Sequence, residues 1–235
     1  MPLNHGRMVG LRQVIIMLFF VTFSIVSSQD WANLNKYRDQ NEKLGAPIIN
    51  EKRVVFIGDS ITESWFHFQP EFFNKPYYIN RGISGQTTPQ MLIRFRSDVI
   101  QLKPSVVLIL AGINDIAENT GPSNVQDIAG NIISMAELSS SNGIKAIICS
   151  ILPANEFSWN PKIDPVSKIS SVNSILKSYA KKNELTFLDY YESMVDENDG
   201  LKKEYGTDSV HPNLSGYKLM AVLAERAIRS ALELN

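Results

Sequence analysis

The sequence is poor in cysteine, in clustered positive charge and in long apolar stretches. Its single cysteine, Cys149, lies in an apolar run, which predicts a buried core residue and excludes an internal disulfide. The 23 basic residues are balanced by 24 acidic ones and form no basic stripe. This pattern lacks the electrostatic footprint of a nucleic-acid-binding protein, so we expect no nucleic-acid partner. Stability must therefore come from an apolar core.

The one long apolar run lies at the N-terminus. Residues 14–26 carry no charge, follow Arg7 and Arg12, and are followed by small residues. The run is shorter than the ~20 residues that span a bilayer as a helix, which favours a cleaved signal peptide over a membrane anchor. Residues 1–28 are thus predicted to be a secretory signal. Residues 29–235 are expected to form a single secreted or periplasmic domain without stable membrane insertion.

Short apolar runs alternate with helical patterns along the rest of the chain. Strands are predicted at 53–58, 77–80, 106–111, 145–150 and 186–188. The run at 106–111 is apolar on both faces, which is typical of a parallel strand buried between helices. The alternation predicts an α/β fold in which a doubly wound, five-stranded parallel sheet lies between two helical layers. Such a fold is a three-layer α/β/α sandwich.

Apolar spacing and capping residues predict the helices between these strands. The first helix is expected at 31–44. Thr88 is predicted to cap the helix after the second strand, and Ser123 with Gln126 to form a capping box before the next one. The aromatic run at 65–73 is predicted to lie mainly in the core, with a wall of a substrate pocket as the alternative.

Polar turns follow the predicted strands. They are Gly58-Asp59-Ser60, Gly82, Gly112-Ile113-Asn114 and the loop from Asp208 to His211. In open α/β sheets the functional site lies outside the carboxyl ends of the strands. We therefore expect these four turns to converge in space.

A serine in such a turn becomes a nucleophile only when a base takes its proton and a third group orients the base. Of the three histidines, His5 falls in the predicted signal and His67 lies among aromatic residues. His211 lies three residues after Asp208, where Nδ1 can face that carboxylate and Nε2 can face Ser60. Taken singly, the serine is more typical of an N-cap than of a nucleophile, and the D-x-x-H segment is at least as typical of a capped helix entry as of a catalytic pair.

Together the turns resemble, in order and spacing, the four sequence blocks of the SGNH or GDSL hydrolases. Residues 61–65 and 81–88 are similar to the group around platelet-activating-factor acetylhydrolase catalytic subunits and bacterial acetylesterases. The resemblance covers essentially all of residues 29–235. It implies the flavodoxin-like SGNH hydrolase fold and a serine esterase that needs no cofactor and no metal.

The resemblance also implies a role for each matching residue. Ser60 is expected to be the nucleophile, His211 the general base and acid, and Asp208 the orienting carboxylate. The backbone N–H groups of Ser60 and Gly82 and the side-chain amide of Asn114 are expected to form the oxyanion hole. A glycine at 82 would keep a side chain away from the substrate carbonyl.

Members of the similar group act on short acyl chains, often acetyl, and acetylated glycans are met outside the cytoplasm. The expected function is therefore an exported acetylesterase whose partner is a small-molecule or glycan ester. A lysophospholipase or short-chain lipid esterase is the alternative, with the run at 65–73 as its apolar groove. The loops at 152–165 and 192–207 are expected to shape the alcohol side of the pocket.

Two alternatives from other functional classes remain open at this point. One is a carbohydrate-binding protein on the same fold, which the complete set of catalytic residue types disfavours. The other is a metal-dependent phosphoesterase with Asp59, Asp115, Asp208 and His211 as ligands. That set contains a single histidine and no H-x-H or D-x-H pair, so the metal hypothesis ranks lower. For Asp59 and Asp115 we expect hydrogen bonds that hold the turns and support the neighbouring site residues.

Overall fold

The computed structural model describes residues 30–75 and 77–233. Within them five strands form one parallel sheet in the order β2-β1-β3-β4-β5. The strands are β1 Val54–Gly58, β2 Tyr78–Gly82, β3 Val106–Leu110, β4 Lys145–Cys149 and β5 Thr186–Leu188. This is the doubly wound α/β sheet that the sequence pattern predicts.

Helices cover both faces of the sheet. They are α1 Arg38–Leu44, α2 Ser60–Phe68, α3 Pro70–Phe73, α4 Thr88–Asp98, α5 Ile113–Ile116, α6 Val125–Ser141, α7 Val166–Lys182, α8 Tyr190–Met194 and α9 Leu214–Glu233. On one face α4, α6 and α7 pack side by side, and α2 and α9 cover the other. Every residue of β1 and β3 is buried, as expected for central strands with a helical layer on each side.

An aromatic cluster fills the core between β1, α2 and α3. Four rings surround Phe56 at centroid distances of 5.2 to 5.8 Å: Trp65, Phe72, Phe73 and Tyr78. Phe66 and Phe68 are exposed on the outer side of α2. The prediction that the run at 65–73 lies mainly in the core therefore holds for Trp65, Phe72 and Phe73 but not for Phe66 and Phe68.

The first helix is shorter than predicted. The carboxylate of Asp30 accepts the backbone N–H groups of Leu34 at 2.8 Å and Asn35 at 2.9 Å, which holds this segment in turns. Only the second half of the predicted helix 31–44 is helical, as α1. Tyr37, just before α1, is buried.

The cap of α4 lies one residue earlier than predicted. Thr87 is the N-cap, and its N–H donates to Oε1 of Gln90 at 2.9 Å. Thr88 is the first helical residue, and its N–H and hydroxyl donate to the carboxylate of Asp115 at 2.9 and 2.6 Å. The prediction of Thr88 as a cap was wrong because its side chain bonds to a neighbouring turn instead.

The predicted capping box of Ser123 and Gln126 is also wrong. Asn124 caps α6 by accepting the N–H of Asp127 at 2.9 Å. The hydroxyl of Ser123 instead donates to the backbone carbonyl of Asp115 at 2.7 Å. Ser123 therefore ties the start of α6 to the turn after β3.

The predicted signal peptide, residues 1–28, lies outside the described residues. Cleavage before Gln29 and export therefore stay predictions, which N-terminal sequencing of the exported protein checks. Among residues 30–75 and 77–233, no helix combines the length and the apolarity that a membrane crossing requires.

Candidate active site

Ser60 is the first residue of α2, directly after β1. Asp59 is the N-cap of this helix, since its carboxylate accepts the N–H of Ile61 at 2.9 Å. The interpretation of Ser60 as an N-cap is therefore wrong, and its hydroxyl is available to the site. The unpaired N–H groups at this helix end favour negative charge in front of them.

Ser60, His211 and Asp208 form one hydrogen-bonded line. The Oγ of Ser60 lies 3.0 Å from Nε2 of His211, and Nδ1 of His211 lies 2.9 Å from Oδ2 of Asp208. An ionised carboxylate only accepts hydrogen bonds, so Nδ1 carries the ring proton and Nε2 accepts from the serine hydroxyl. The arrangement can pass a proton from the serine to the imidazole.

The backbone of its own loop holds Asp208 in place. Its Oδ1 accepts the N–H groups of His211 at 2.7 Å and Val210 at 2.8 Å. Burial raises the pKa of Asp208, but these bonds and the His211 ring outweigh it and bring the pKa below its ordinary value. Helix α9 is capped separately by Oδ1 of Asn213, which accepts two backbone N–H groups at 2.8 and 3.1 Å. The D-x-x-H segment is thus not a helix cap.

Asn114 lies at the start of α5 and is buried. Its Nδ2 donates to the carbonyl of Gln86 at 3.1 Å, and its Oδ1 accepts from Nδ2 of Asn119 at 2.7 Å. Because Asn119 can only donate through that nitrogen, the bond sets which way round the Asn114 amide lies. The amide N–H groups of Asn114 face the turn that follows β2.

Gly82 does not offer the free N–H that its expected role requires. That N–H donates to Oδ1 of Asn80 at 2.9 Å. A Cβ at position 82 would lie 2.1 Å from the backbone nitrogen of Glu63 and 2.6 Å from the carbonyl carbon of Thr62. Glycine is needed here because β2 packs closely against α2, and the expectation of an approaching substrate carbonyl is corrected.

Gly85 has the properties that Gly82 lacks. It is exposed in the turn after β2, has a φ of +76° and has open space at its Cβ position. The N–H of Ser84 donates to Glu63 at 2.7 Å, and the carbonyl of Gln86 accepts from Asn114. In the part of the chain that the structure describes, no acceptor is paired with the Gly85 N–H. The turn thus holds this N–H between α2 and Asn114.

Gly82→Ala is expected to lower the free energy of unfolding by about 3 kcal/mol, because the added methyl group overlaps backbone atoms of α2 that cannot rotate away. Urea denaturation measures the change. Gly130→Ala in α6 is the control, since no atom lies within 4 Å of its new Cβ. We expect that control to stabilise the protein by about 0.5–1 kcal/mol. Similar losses in both variants would contradict the packing explanation.

Arg94 on α4 is fully buried and braces two of the turns. Its Nη2 donates to the carbonyl of Gly58 at 3.0 Å and its Nε to Oε1 of Gln86 at 2.5 Å. Its Nη1 pairs with Oδ2 of Asp98 at 3.1 Å. In sequence the pair is spaced i,i+4, the usual spacing of an exposed helical ion pair, so nothing in the sequence marked this brace.

Asp59 and Asp115 are buried beside the line. Burial raises the pKa of Asp59 to about 7 and that of Asp115 to about 6, although hydrogen bonds from Ile61 to Asp59 and from Thr88 to Asp115 oppose the shift. Both carboxylates thus serve the turns, as expected. Among residues 30–75 and 77–233, no group of three or more His, Cys, Asp or Glu side chains is arranged to hold a metal ion.

Two loops that show no hydrophobic periodicity in the sequence border the site. The loop at 152–165 places the ring of Trp159 with its centroid 6.4 Å from that of His211. The loop at 192–207 lines a polar groove of about 650 Å³ that also includes Asp208. Sequence reasoning did not identify Trp159 as a site residue, because its proximity to His211 is visible only in the folded chain.

Trp65 and His67 contribute nothing to this line of residues. The Trp65 ring is buried and stacks on Phe72 at 4.9 Å and on Tyr217 at 5.7 Å. His67 is exposed and lines a different groove, of about 670 Å³, between α1, α2 and β2. The site is therefore formed by the turns after the strands and by the two loops.

Comparison with known proteins agrees with this geometry. The model of the GDSL-like Lipase/Acylhydrolase family matches residues 56–219. A solved structure of a GDSL-like lipase from Bacteroides thetaiotaomicron VPI-5482 is 49% identical with a TM-score of 0.83, over 86% of this chain and 99% of that one.

Two characterised relatives are more distant. Platelet-activating factor acetylhydrolase IB subunit alpha2 from Homo sapiens is 27% identical over 190 residues, which cover 78% of this chain and 79% of the relative. An acetylxylan esterase from Xylanibacter ruminicola is 25% identical over 237 residues, 83% of this chain but 48% of that protein. This chain thus spans about half of that esterase. The chain belongs to the GDSL-like lipase and acylhydrolase family.

Proposed function

We propose that this protein is a serine esterase that hydrolyses short-chain carboxylic esters, above all O-acetyl groups on carbohydrate, through an acyl-serine intermediate. The observation that carries the proposal is the line from Ser60 Oγ to His211 Nε2 at 3.0 Å and from His211 Nδ1 to Asp208 at 2.9 Å. These three groups have the order and spacing that a base-activated serine requires.

In the first half of the reaction, Ser60 Oγ bonds to the ester carbonyl carbon while its proton moves to Nε2 of His211. Asp208 accepts from Nδ1 and stabilises the imidazolium that forms. The tetrahedral intermediate then breaks its bond to the alcohol oxygen, which takes the proton from Nε2. In the second half, a water molecule gives a proton to Nε2 of His211 and attacks the acyl carbon. The bond from that carbon to Ser60 Oγ then breaks, Nε2 returns the proton to Oγ, and the acid leaves.

The negative charge of the tetrahedral oxygen requires donors that are already in place. We assign this role to the backbone N–H of Ser60, the amide of Asn114 and the N–H of Gly85. Gly85 replaces Gly82 in this assignment because the N–H of Gly82 is already bonded to Asn80. The N-terminal end of α2 adds a favourable potential near the same oxygen.

Two observations support acetyl esters of carbohydrate. The names of two relatives, a platelet-activating factor acetylhydrolase and an acetylxylan esterase, both specify acetyl groups. The groove beside Asp208 includes neither Ser60 nor His211, but its polar side chains, among them Asn155 and Lys203, suit the hydroxyl groups of a larger glycan better than an acyl chain. The lipid alternative has less support because Trp65, Phe72 and Phe73 of the run at 65–73 are used in the core, which leaves Phe66 and Phe68 as its exposed aromatic rings.

A series of p-nitrophenyl esters tests the proposal. We expect kcat/KM to fall from acetate through butyrate to octanoate, by about tenfold or more over the series, because a small acyl pocket excludes added methylenes. Acetate released from acetylated xylan, measured in parallel, reports on the natural class of ester. An optimum at octanoate would favour the lipid esterase. Absence of turnover on every ester would favour a carbohydrate-binding protein.

A further inference from the structure

Trp159 is an exposed aromatic residue beside the proposed catalytic base. Its side chain is 46% exposed, and its ring centroid lies 6.4 Å from that of His211. Large apolar side chains that stay exposed next to a reacting group are common at ligand-binding surfaces. The chemistry assigned so far to Ser60, His211 and Asp208 makes no use of this ring.

The indole is held in one orientation by its surroundings. Its Nε1 donates to Oδ1 of Asn119 at 3.2 Å, and its inner side packs on the buried ring of Phe157 at 5.1 Å between centroids. Nδ2 of Asn160 donates to the carbonyl of Ala117 at 3.1 Å, which ties the loop to the segment after α5. A ligand that stacks on Trp159 therefore meets a surface that is already formed, and little conformational entropy is lost on binding.

The position of Trp159 places its ring next to the alcohol group of a bound ester. His211 Nε2 delivers a proton to the leaving oxygen, so the group attached to that oxygen lies next to His211. Among the described residues, the ring of Trp159 is the aromatic ring that pairs with that of His211, at 6.4 Å between centroids. The carbonyl oxygen of the ester lies toward Ser60, Asn114 and Gly85, to which the oxyanion donors are assigned.

A flat aromatic face bordered by polar groups suits one kind of alcohol. A pyranose ring has an apolar face of C–H groups, which packs on an aromatic ring, and a rim of hydroxyls, which need polar partners. Asn155 and Glu156 come from the same loop as Trp159 and line a polar groove that includes Asp208 but neither Trp159 nor His211. This groove offers polar partners to further sugar units beyond the one at Trp159.

We infer that Trp159 determines specificity by stacking its exposed face on the pyranose ring that carries the ester group. This inference rests on the proposed esterase activity and adds to it the residue that recognises the alcohol. Asn119 belongs to the same arrangement, because it bonds both to Trp159 and to the amide of Asn114.

The experiment compares two acetyl esters of different alcohols. Ethyl acetate has no ring, and an acetylated methyl β-xylopyranoside has the ring that Trp159 is expected to contact. For Trp159→Ala we expect the ratio of kcat/KM on the sugar ester to kcat/KM on ethyl acetate to fall about tenfold, mainly through KM on the sugar ester. Trp159→Phe should retain part of the preference. Trp31→Ala is the matched control, since Trp31 is 47% exposed near the N-terminal end of the described chain.

Three results would overturn the inference. Equal losses on both esters would mean that Trp159 supports His211 or Asn119 rather than the sugar. An unchanged sugar preference would remove the stacking role. A loss confined to acetylcholine, added as a third ester, would point to a cationic alcohol over the indole instead.

A binding measurement separates this inference from the esterase proposal. Saturation-transfer NMR with unesterified methyl β-xylopyranoside needs no turnover. We expect transfer to the sugar with the unaltered protein and with Trp31→Ala, and its loss with Trp159→Ala. If saturation transfer to the sugar occurs but ethyl acetate is not hydrolysed, the esterase proposal is refuted and the sugar-binding role of Trp159 stands. If ethyl acetate is hydrolysed but no variant shows saturation transfer to the sugar, the esterase proposal stands and the sugar-binding role of Trp159 is refuted.

Discussion

Ser60→Ala is expected to lower kcat for p-nitrophenyl acetate on the order of 10⁶-fold, because no other group in the line can form the acyl intermediate. The hydroxyl is the atom that attacks the carbonyl, and His211 has no proton to accept once it is removed. Steady-state hydrolysis at pH 7.5 measures the loss, and mass spectrometry of the protein during turnover shows whether an acetyl adduct forms. The adduct is expected with Ser60 and absent from the alanine variant.

Ser64→Ala provides the matched control for this prediction. Ser64 lies one turn further along α2, so the same change is made on the same helix away from the His211 ring. We expect its activity to stay within about twofold of the original, as for most substitutions outside the reacting groups. Activity that persists in Ser60→Ala, or that disappears on addition of a chelator, would reject the serine mechanism and bring back the metal hypothesis.

Much of the fold and the line of reacting residues follows from local sequence. Runs such as Val54–Ile57 and Val106–Leu110 are apolar on both faces, and only a buried parallel sheet accommodates them. A sheet of this kind brings the turns at its carboxyl edge together. Ser60 and His211, 151 positions apart in the chain, meet at 3.0 Å for that reason.

The role of Gly82 could not be predicted from local sequence. A glycine after a strand indicates close approach, but it does not say what approaches. Here α2 approaches the Cα of Gly82, and the side chain of Asn80 folds back to occupy the N–H. Both facts depend on tertiary packing, so the sequence could not separate Gly82 from Gly85.

The residues that support the site, such as Arg94 and Trp159, could not be predicted from the sequence for a related reason. Arg94 is a charged residue of α4, and charged side chains are mostly exposed, yet it is fully buried and bonded to Gly58 and Gln86. Trp159 lies in a loop with no periodicity at all. Long-range hydrogen bonds and ring contacts leave no trace in local spacing, and such contacts position the supporting residues here.

Asp208→Asn is expected to lower kcat about 10⁴-fold while the loop keeps its shape. The amide oxygen of the asparagine can still accept the N–H groups of Val210 and His211, as Oδ1 of Asp208 does now. The amide nitrogen, however, then faces Nδ1 of His211 as a second donor. The imidazole must move its proton to Nε2, where it can no longer accept from Ser60. Kinetics on p-nitrophenyl acetate and thermal unfolding of the same preparation measure the two effects.

Asp164→Asn is the control for the change of charge and shape. The carboxylate of Asp164 accepts the N–H of Val166 at 3.1 Å, the same two-residue spacing that joins Asp208 to Val210. We expect this variant to keep its activity, since no histidine depends on that carboxylate. Asp208→Ala should lose activity to a similar degree as Asp208→Asn but should also unfold at a lower temperature, because both backbone bonds disappear. Full activity of Asp208→Asn at neutral pH would show that His211 keeps its tautomer without the carboxylate. In that case the orienting role would have to move from Asp208 to the loop backbone.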